Sequence, residues 1–153
     1  MLPAPRGKHG PMSFDVDRLF RLWTDPLPEG DAAAAAFREV YADPVVVNGT
    51  PVGATAMAAR ARAIQKVFDE PEWQVLEVVD GGAKVAVAFR MRGRQVGALS
   101  TSAGTVPPTG QLLDLRVIDV LTITGGRVSD IWMVADELGA LTAVGAVRLT
   151  AGR

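Results

Sequence analysis

Asp136 ends the run Ile131-Trp132-Met133-Val134-Ala135-Asp136, a single carboxylate in otherwise apolar company. Burying an ionised carboxylate costs on the order of several kcal/mol unless it is paired or protonated. An apolar setting pushes a carboxyl pKa upward, which suits a base that takes a proton from carbon beside a carbonyl and later returns one. Asp136 is therefore the candidate catalytic residue. The competing reading is a helix cap, because Asp136 directly precedes a short helix expected over Glu137 to Val144, and Asp is a favoured N-cap.

Five further residues are candidates for substrate binding: Trp132, Asn48, Gln95, Asp119 and Tyr41. Trp132 offers an apolar wall, with plain core packing as its simpler reading. Asn48 precedes Gly49 and reads first as a turn. The Asn48 and Gln95 amides can hydrogen-bond a ligand but cannot shuttle a proton. Tyr41, the only tyrosine, is a pocket donor or a helix-end packing residue.

Strand alternation sorts the rest. It puts Asp119 on one face with Leu115, Val117 and Leu121, as a second pocket acid or the buried partner of an arginine. Asp114 and Arg116 fall on the other face with Ile118 and Val120, and Arg90 and Arg92 share a face from which they pair with Asp114 or clamp an anionic substrate, the surface ion pair being the simpler reading. The same alternation groups Val128, Asp130, Trp132, Val134 and Asp136 together, opposite Arg127, Ser129, Ile131, Met133 and Ala135.

The elements that must hold these residues follow from pattern. Ser13 is the expected cap of a helix to Trp23, and Asp31 of an alanine-rich helix through Phe37 and Tyr41. Asp43-Pro44 leads into a strand at Val45-Val46-Val47, and a third helix is expected from Thr55 to about Glu70. Strands are expected over Trp73 to Val79, Lys84 to Met91, Arg94 to Thr101, Leu112 to Thr124 and Arg127 to Ala135. Helices first and a run of strands afterwards is an α+β plan: a curved antiparallel sheet with helices on one face.

The 153 residues suggest one domain, expected over residues 13–147, between a disordered leader over 1–12 and a tail over 148–153. Net charge is -1, from 16 basic and 17 acidic residues, so no basic footprint calls for nucleic acid. The apolar runs are too short to span a bilayer. Cysteine is absent and the only histidine is His9, in the proline- and glycine-rich leader. That excludes thiol chemistry and leaves no His-based triad or His-rich metal site. A curved sheet with its helices can enclose a pocket for a small ligand, and no Gly-rich loop follows a strand to bind a nucleotide.

Four segments carry a family resemblance: Tyr41-Ala42-Asp43-Pro44-Val45-Val46-Val47-Asn48; Gly53, opening the third helix; Pro107-Pro108-Thr109-Gly110; and Gly126-Arg127-Val128 through Trp132 to Asp136, followed by Leu138, Leu141 and Gly145. Together they resemble the SnoaL-like polyketide cyclases of the nuclear transport factor two-like superfamily, over about Phe14 to Val147. The resemblance implies a cone-shaped α+β barrel around an apolar pocket, a cytoplasmic homodimer or homotetramer, and a place in antibiotic biosynthesis. It implies that the ligand is hydrophobic, that no metal or cofactor is used, and that the reaction is ring closure of an aromatic polyketide by intramolecular aldol condensation, with the acid–base residue at Asp136.

The chain departs from the pattern where many relatives carry histidines, having Gln95 and Asn48 there. Two alternatives therefore stand beside a cyclase or isomerase. One is a limonene-epoxide-hydrolase-like enzyme, which the resemblance makes dependent on an Asp two residues after the Trp, where this chain has Val134. The other is a non-catalytic pocket protein that binds a small molecule.

Overall fold

A computed structural model describes residues 13–152. The expected leader, with His9, lies outside the described residues.

Three helices come first. α1 (Val16–Thr24) is capped by Asp15, whose carboxylate accepts from the Arg18 amide at 2.9 Å. The cap thus lies two positions later than the expected Ser13. α1 buries Leu19 and lays Phe20 and Trp23 on the core. α2 (Asp31–Val40) is entered from Gly30 at φ +59°, a left-handed conformation that glycine adopts without strain. Asp31 is thus its first helical residue and not its cap. Ala33, Ala34, Phe37 and Val40 form its buried stripe.

α3 (Ala54–Gln65) stops well short of the expected Glu70. The sheet claims the chain there: the Val67 carbonyl accepts from the Val96 and Gly97 amides, and Phe68 pairs with Gln95. A Cβ on Gly97 would lie 2.1 Å from the Lys66 carbonyl oxygen, so only glycine allows this close crossing.

The main sheet has six strands: β1 (Tyr41–Val47), β2 (Thr50–Val52), β3 (Phe68–Asp80), β4 (Lys84–Gln95), β7 (Leu112–Thr124) and β8 (Arg127–Ala135). Their order is β2-β1-β8-β7-β4-β3. All neighbours are antiparallel except β1 and β8, which run parallel. The strand expected over Arg94 to Thr101 is divided: Arg94 and Gln95 finish β4, and Leu99–Thr101 (β5) forms a separate hairpin with Gly104–Val106 (β6). The last helix, α4 (Glu137–Ala143), follows β8 directly.

The architecture is the expected α+β plan, a curved, unclosed and mainly antiparallel sheet with helices. Its inner face is read off the strands: Val85, Val87, Phe89 and Met91 of β4, and Leu113, Leu115, Val117 and Leu121 of β7, are buried in one core with α1, α2 and α3. Among the described residues no helix is long and apolar enough to cross a membrane.

Candidate active site

Asp119 interrupts the apolar inner row of β7. It pairs across the sheet with Val87 of β4 and Met133 of β8, between buried Val117 and Leu121 on its own strand. Its Oδ1 is sealed from solvent without a hydrogen-bond partner among the described residues. Burial pushes its pKa up to about 7, because the apolar wall cannot solvate the charged form. The residue as a whole keeps partial solvent access.

Tyr41 begins β1 and is buried. Its ring stacks on Phe37, with centroids 5.7 Å apart and planes at 13°. Its hydroxyl oxygen accepts the Trp23 indole N–H at 2.8 Å. Burial pushes the phenol pKa up, the Trp23 bond opposes this, and the nearby Asp119 charge raises it further. The phenol is therefore neutral and can donate.

Asp136 has a different setting from the one expected. Its carboxylate accepts from the Gly139 amide at 3.0 Å, capping α4, and from Arg116 at 3.0 Å. The cap bond and then the Arg116 bond hold its pKa below the usual carboxylate range, so the expected upward shift is reversed. Asp43 is similarly held low, first by Arg38 and then by the Ala54 amide.

The expectation that Trp132 lines the pocket is corrected. The β7–β8 register passes from Ile123↔Val128 to Thr122↔Asp130, so Ser129 is an extra residue. Such a bulge flips the alternation beyond it. Val128 and Ile131 point inward and are buried; Met133, opposite Asp119, shares their face but is 41% exposed, and Trp132 and Val134 stand exposed on the outer face.

Asn48 and Gln95 are both occupied by the backbone. The Asn48 Oδ1 accepts from the Met133 amide at 2.8 Å and its Nδ2 donates to the Met133 carbonyl at 3.2 Å, clamping β8 behind Asp119. Asn48 itself has φ +48°, a turn conformation that Asn tolerates. Gln95 is fully buried. Its Nε2 donates to the Gly97 and Pro107 carbonyls, both at 3.2 Å, and its Oε1 accepts from Thr109 at 2.7 Å. It fastens the loop before β7 to the end of β4.

The arginines go where alternation placed them: Arg90 pairs with Asp114, and Arg92 approaches it at 3.8 Å. Two surface recesses lie at the start of α1. One, of about 390 Å³, is lined by residues including Phe14, Val75, Val78 and Asp80; the other, of about 140 Å³, by residues including Phe14, Arg18, Ile123 and Gly126. Neither touches Asp119, Tyr41 or Asp136. Among the described residues no three His, Cys, Asp or Glu side chains gather that could hold a metal.

Of the candidate residues, the fold brings Asp119 and Tyr41 together and leaves Asp136, Trp132 and Gln95 apart from them. Trp23 and Met133 join the site without having been singled out. Nothing local marks Trp23 as the donor to a tyrosine eighteen positions away.

Comparison with known proteins bears on what such a site does. The family model for SnoaL-like polyketide cyclases matches residues 18–144. A solved protein described as a SnoaL-like polyketide cyclase, from Jannaschia sp. CCS1, is 24% identical, with a TM-score of 0.68, covering 93% of this chain and 99% of its own. TsrD from Streptomyces laurentii is 22% identical, with a TM-score of 0.68, covering 88% of this chain and 99% of its own. IdmH from Streptomyces antibioticus, described as a polyketide cyclase, is 20% identical, with a TM-score of 0.63, covering 85% and 95%. These structural likenesses show the fold. The comparison with curated proteins gives no match.

Proposed function

Because the chain belongs to the SnoaL-like polyketide cyclase family, we propose that it is an acid–base enzyme of cyclase or isomerase type, acting without metal or cofactor on a hydrophobic, oxygenated, polyketide-like molecule. The observation that carries this reading is Asp119, an inward carboxyl with one oxygen unpartnered and a pKa raised to about 7. We assign the acid–base role to Asp119 and not to Asp136, whose carboxylate is committed to Gly139 and Arg116.

Near neutral pH Asp119 is divided between its two protonation states, the condition in which one group serves as both base and acid. As a carboxylate it takes a proton from carbon beside a substrate carbonyl, leaving an enolate. Tyr41 donates its hydroxyl proton in a hydrogen bond to the enolate oxygen, supported from behind by Trp23. The enolate carbon then attacks a second carbonyl of the same molecule, and protonated Asp119 returns its proton to the new alkoxide. In an isomerase the proton returns to a different carbon instead. Asn48 acts through the backbone, holding the Met133 strand against Asp119.

The test is exchange of the acidic C–H of an aryl β-diketone in D2O, followed by proton NMR. Wild type and Asp136→Asn should both accelerate exchange, and Asp119→Asn should not. Exchange that survives in Asp119→Asn and is lost in Asp136→Asn would return the role to Asp136. Binding of the diketone with no exchange by wild type would mark a non-catalytic pocket protein.

A further inference from the structure

We propose that Met133 decides which substrates reach Asp119: it is the wall a ligand must pass, and it selects by the width of the group carried beside the acidic carbon. The inference rests on Asp119 as the acid–base group. Four side chains of the inner face surround Asp119. Val117 and Leu121 flank it along β7, Val87 lies across on β4, and Met133 lies across on β8. The first three are each no more than 3% exposed, whereas Met133 is 41% exposed. Of the large apolar side chains that β4, β7 and β8 turn inward, Met133 alone among the described residues is exposed. Asp119 itself keeps partial solvent access. The approach to its carboxyl within the sheet is therefore on the Met133 side.

Register brings the two side chains close. Both backbone groups of Met133 are taken by the Asn48 amide, on the side away from β7: the Met133 N–H donates to Oδ1 at 2.8 Å, and the Met133 carbonyl accepts from Nδ2 at 3.2 Å. Asp119 and Met133 therefore face each other as a non-hydrogen-bonded antiparallel pair. In such pairs the Cα atoms stand about 4.5 Å apart and the side chains approach most closely. A substrate carbon within reach of the Asp119 carboxyl is also within reach of the Met133 thioether. The same two bonds fix where the Met133 backbone stands. Its side chain is unbranched, with three rotatable bonds, and can shape itself to what it meets.

The chemistry of a thioether limits the role to selection. The sulfur is a weak acceptor with no proton to give, so Met133 neither moves a proton nor holds an enolate oxygen. It acts by volume and by the polarizability of sulfur, which favours contact with a ring edge. The facing wall cannot yield in its place. Val87 is packed into the core with Val85 and Phe89, and a close-packed interior resists displacement. The width available beside Asp119 is thus set on the Met133 side. A larger, stiffer residue at 133 narrows it, and a smaller one widens it.

Exchange of the acidic C–H in D2O gives kcat/KM for acetylacetone, benzoylacetone and naphthoylacetone, diketones of increasing width. Met133→Ala should raise the naphthoylacetone-to-acetylacetone ratio and Met133→Phe should lower it, each by about tenfold, the discrimination that a small change of apolar volume gives. Val134→Ala, one residue along on the outer face, should leave the ratio at its wild-type value. A ratio that the two Met133 variants leave unmoved or move the same way overturns the proposal, as does one that Val134→Ala moves equally. Dissociation constants for the same diketones, from titration calorimetry, separate this inference from the acid–base reading. If Asp119→Asn exchanges as fast as wild type, the acid–base reading fails. Opposite shifts of the binding ratio in Met133→Ala and Met133→Phe then still support selection by Met133. A binding ratio that neither variant shifts overturns it, and so does a wild-type chain that binds none of the diketones.

Discussion

Trp23 donates its indole N–H to the Tyr41 hydroxyl at 2.8 Å. An indole has no acceptor, so the direction of this bond is fixed and the phenol's own proton must point elsewhere. Asp119 is the charged group whose field reaches Tyr41. The pair therefore sets a neutral donor toward the surroundings of a buried acid. Tyr41→Phe removes the donor and keeps the ring stacked on Phe37. It should lower the diketone exchange rate about a hundredfold, the usual loss for one oxyanion donor. Trp23→Phe should lower it less, about tenfold, because the donor stays and only its support is lost. Rates at saturating diketone, with melting curves of both variants, check this.

Asp119 makes stability depend on pH with a definite sign. Burial raises its folded pKa to about 7, so the native chain keeps a proton that the unfolded chain loses near pH 4. Over that interval stability falls as pH rises, by on the order of 4 kcal/mol in all. The contribution is fully present below pH 4 and is lost through pH 7. Asp43 and Asp136 act oppositely, since their lowered pKa values give stability that is lost as pH falls. Urea unfolding of wild type and Asp119→Asn at pH 4.5 and 7.5 isolates the Asp119 part. The variant should gain on wild type between the two, and parallel behaviour would refute the assignment.

Asp136→Ala should lower Tm by about 3 °C through loss of the α4 cap. Asp136→Asn should lower it less, because Asn also caps. If Asp136 is a cap and ion-pair partner only, neither change alters the diketone exchange rate per folded molecule. Calorimetry beside the exchange assay reads both effects.

Gln95→Leu should destabilise the chain by about 1–3 kcal/mol, because it leaves the half-buried Thr109 hydroxyl and the Gly97 and Pro107 carbonyls without their partner. The loss should be local as well as global. Amide exchange at Gly110 and Gln111, beside the loop that Gln95 fastens, should accelerate more than exchange in α2. Hydrogen-exchange mass spectrometry tests the difference.

Much of the fold was legible because it is written in neighbouring residues. The alternation in Leu112–Thr124 placed Asp119 with Leu115, Val117 and Leu121, and Asp114 and Arg116 on the other side. The register agrees at each position. The helical stripe of α2 and the final helix behind Asp136 were equally visible. Less visible was the end of α3, since the strand that takes over at Phe68 is claimed by Gln95 and Val96, nearly thirty residues further along.

What only the tertiary structure decided concerns register and distant partners. Alternation carried unbroken through β8 put Trp132 with Val128. One extra residue at Ser129, imposed by pairing with Thr122 and Ile123, reversed every later side chain. Asp136 could cap or catalyse on sequence alone. Pairing of β7 with β8 set Arg116 beside it, and the ion pair stabilised its charged form. Asp119 has no ion-pair partner among the described residues, and the same packing set it in an apolar wall. By itself the sequence determined periodicity, and hence the elements and their apolar faces, because those depend on residues a few positions apart. Which carboxyl is paired and which is buried depends on contacts made across the sheet, and these exist only once the whole chain has packed.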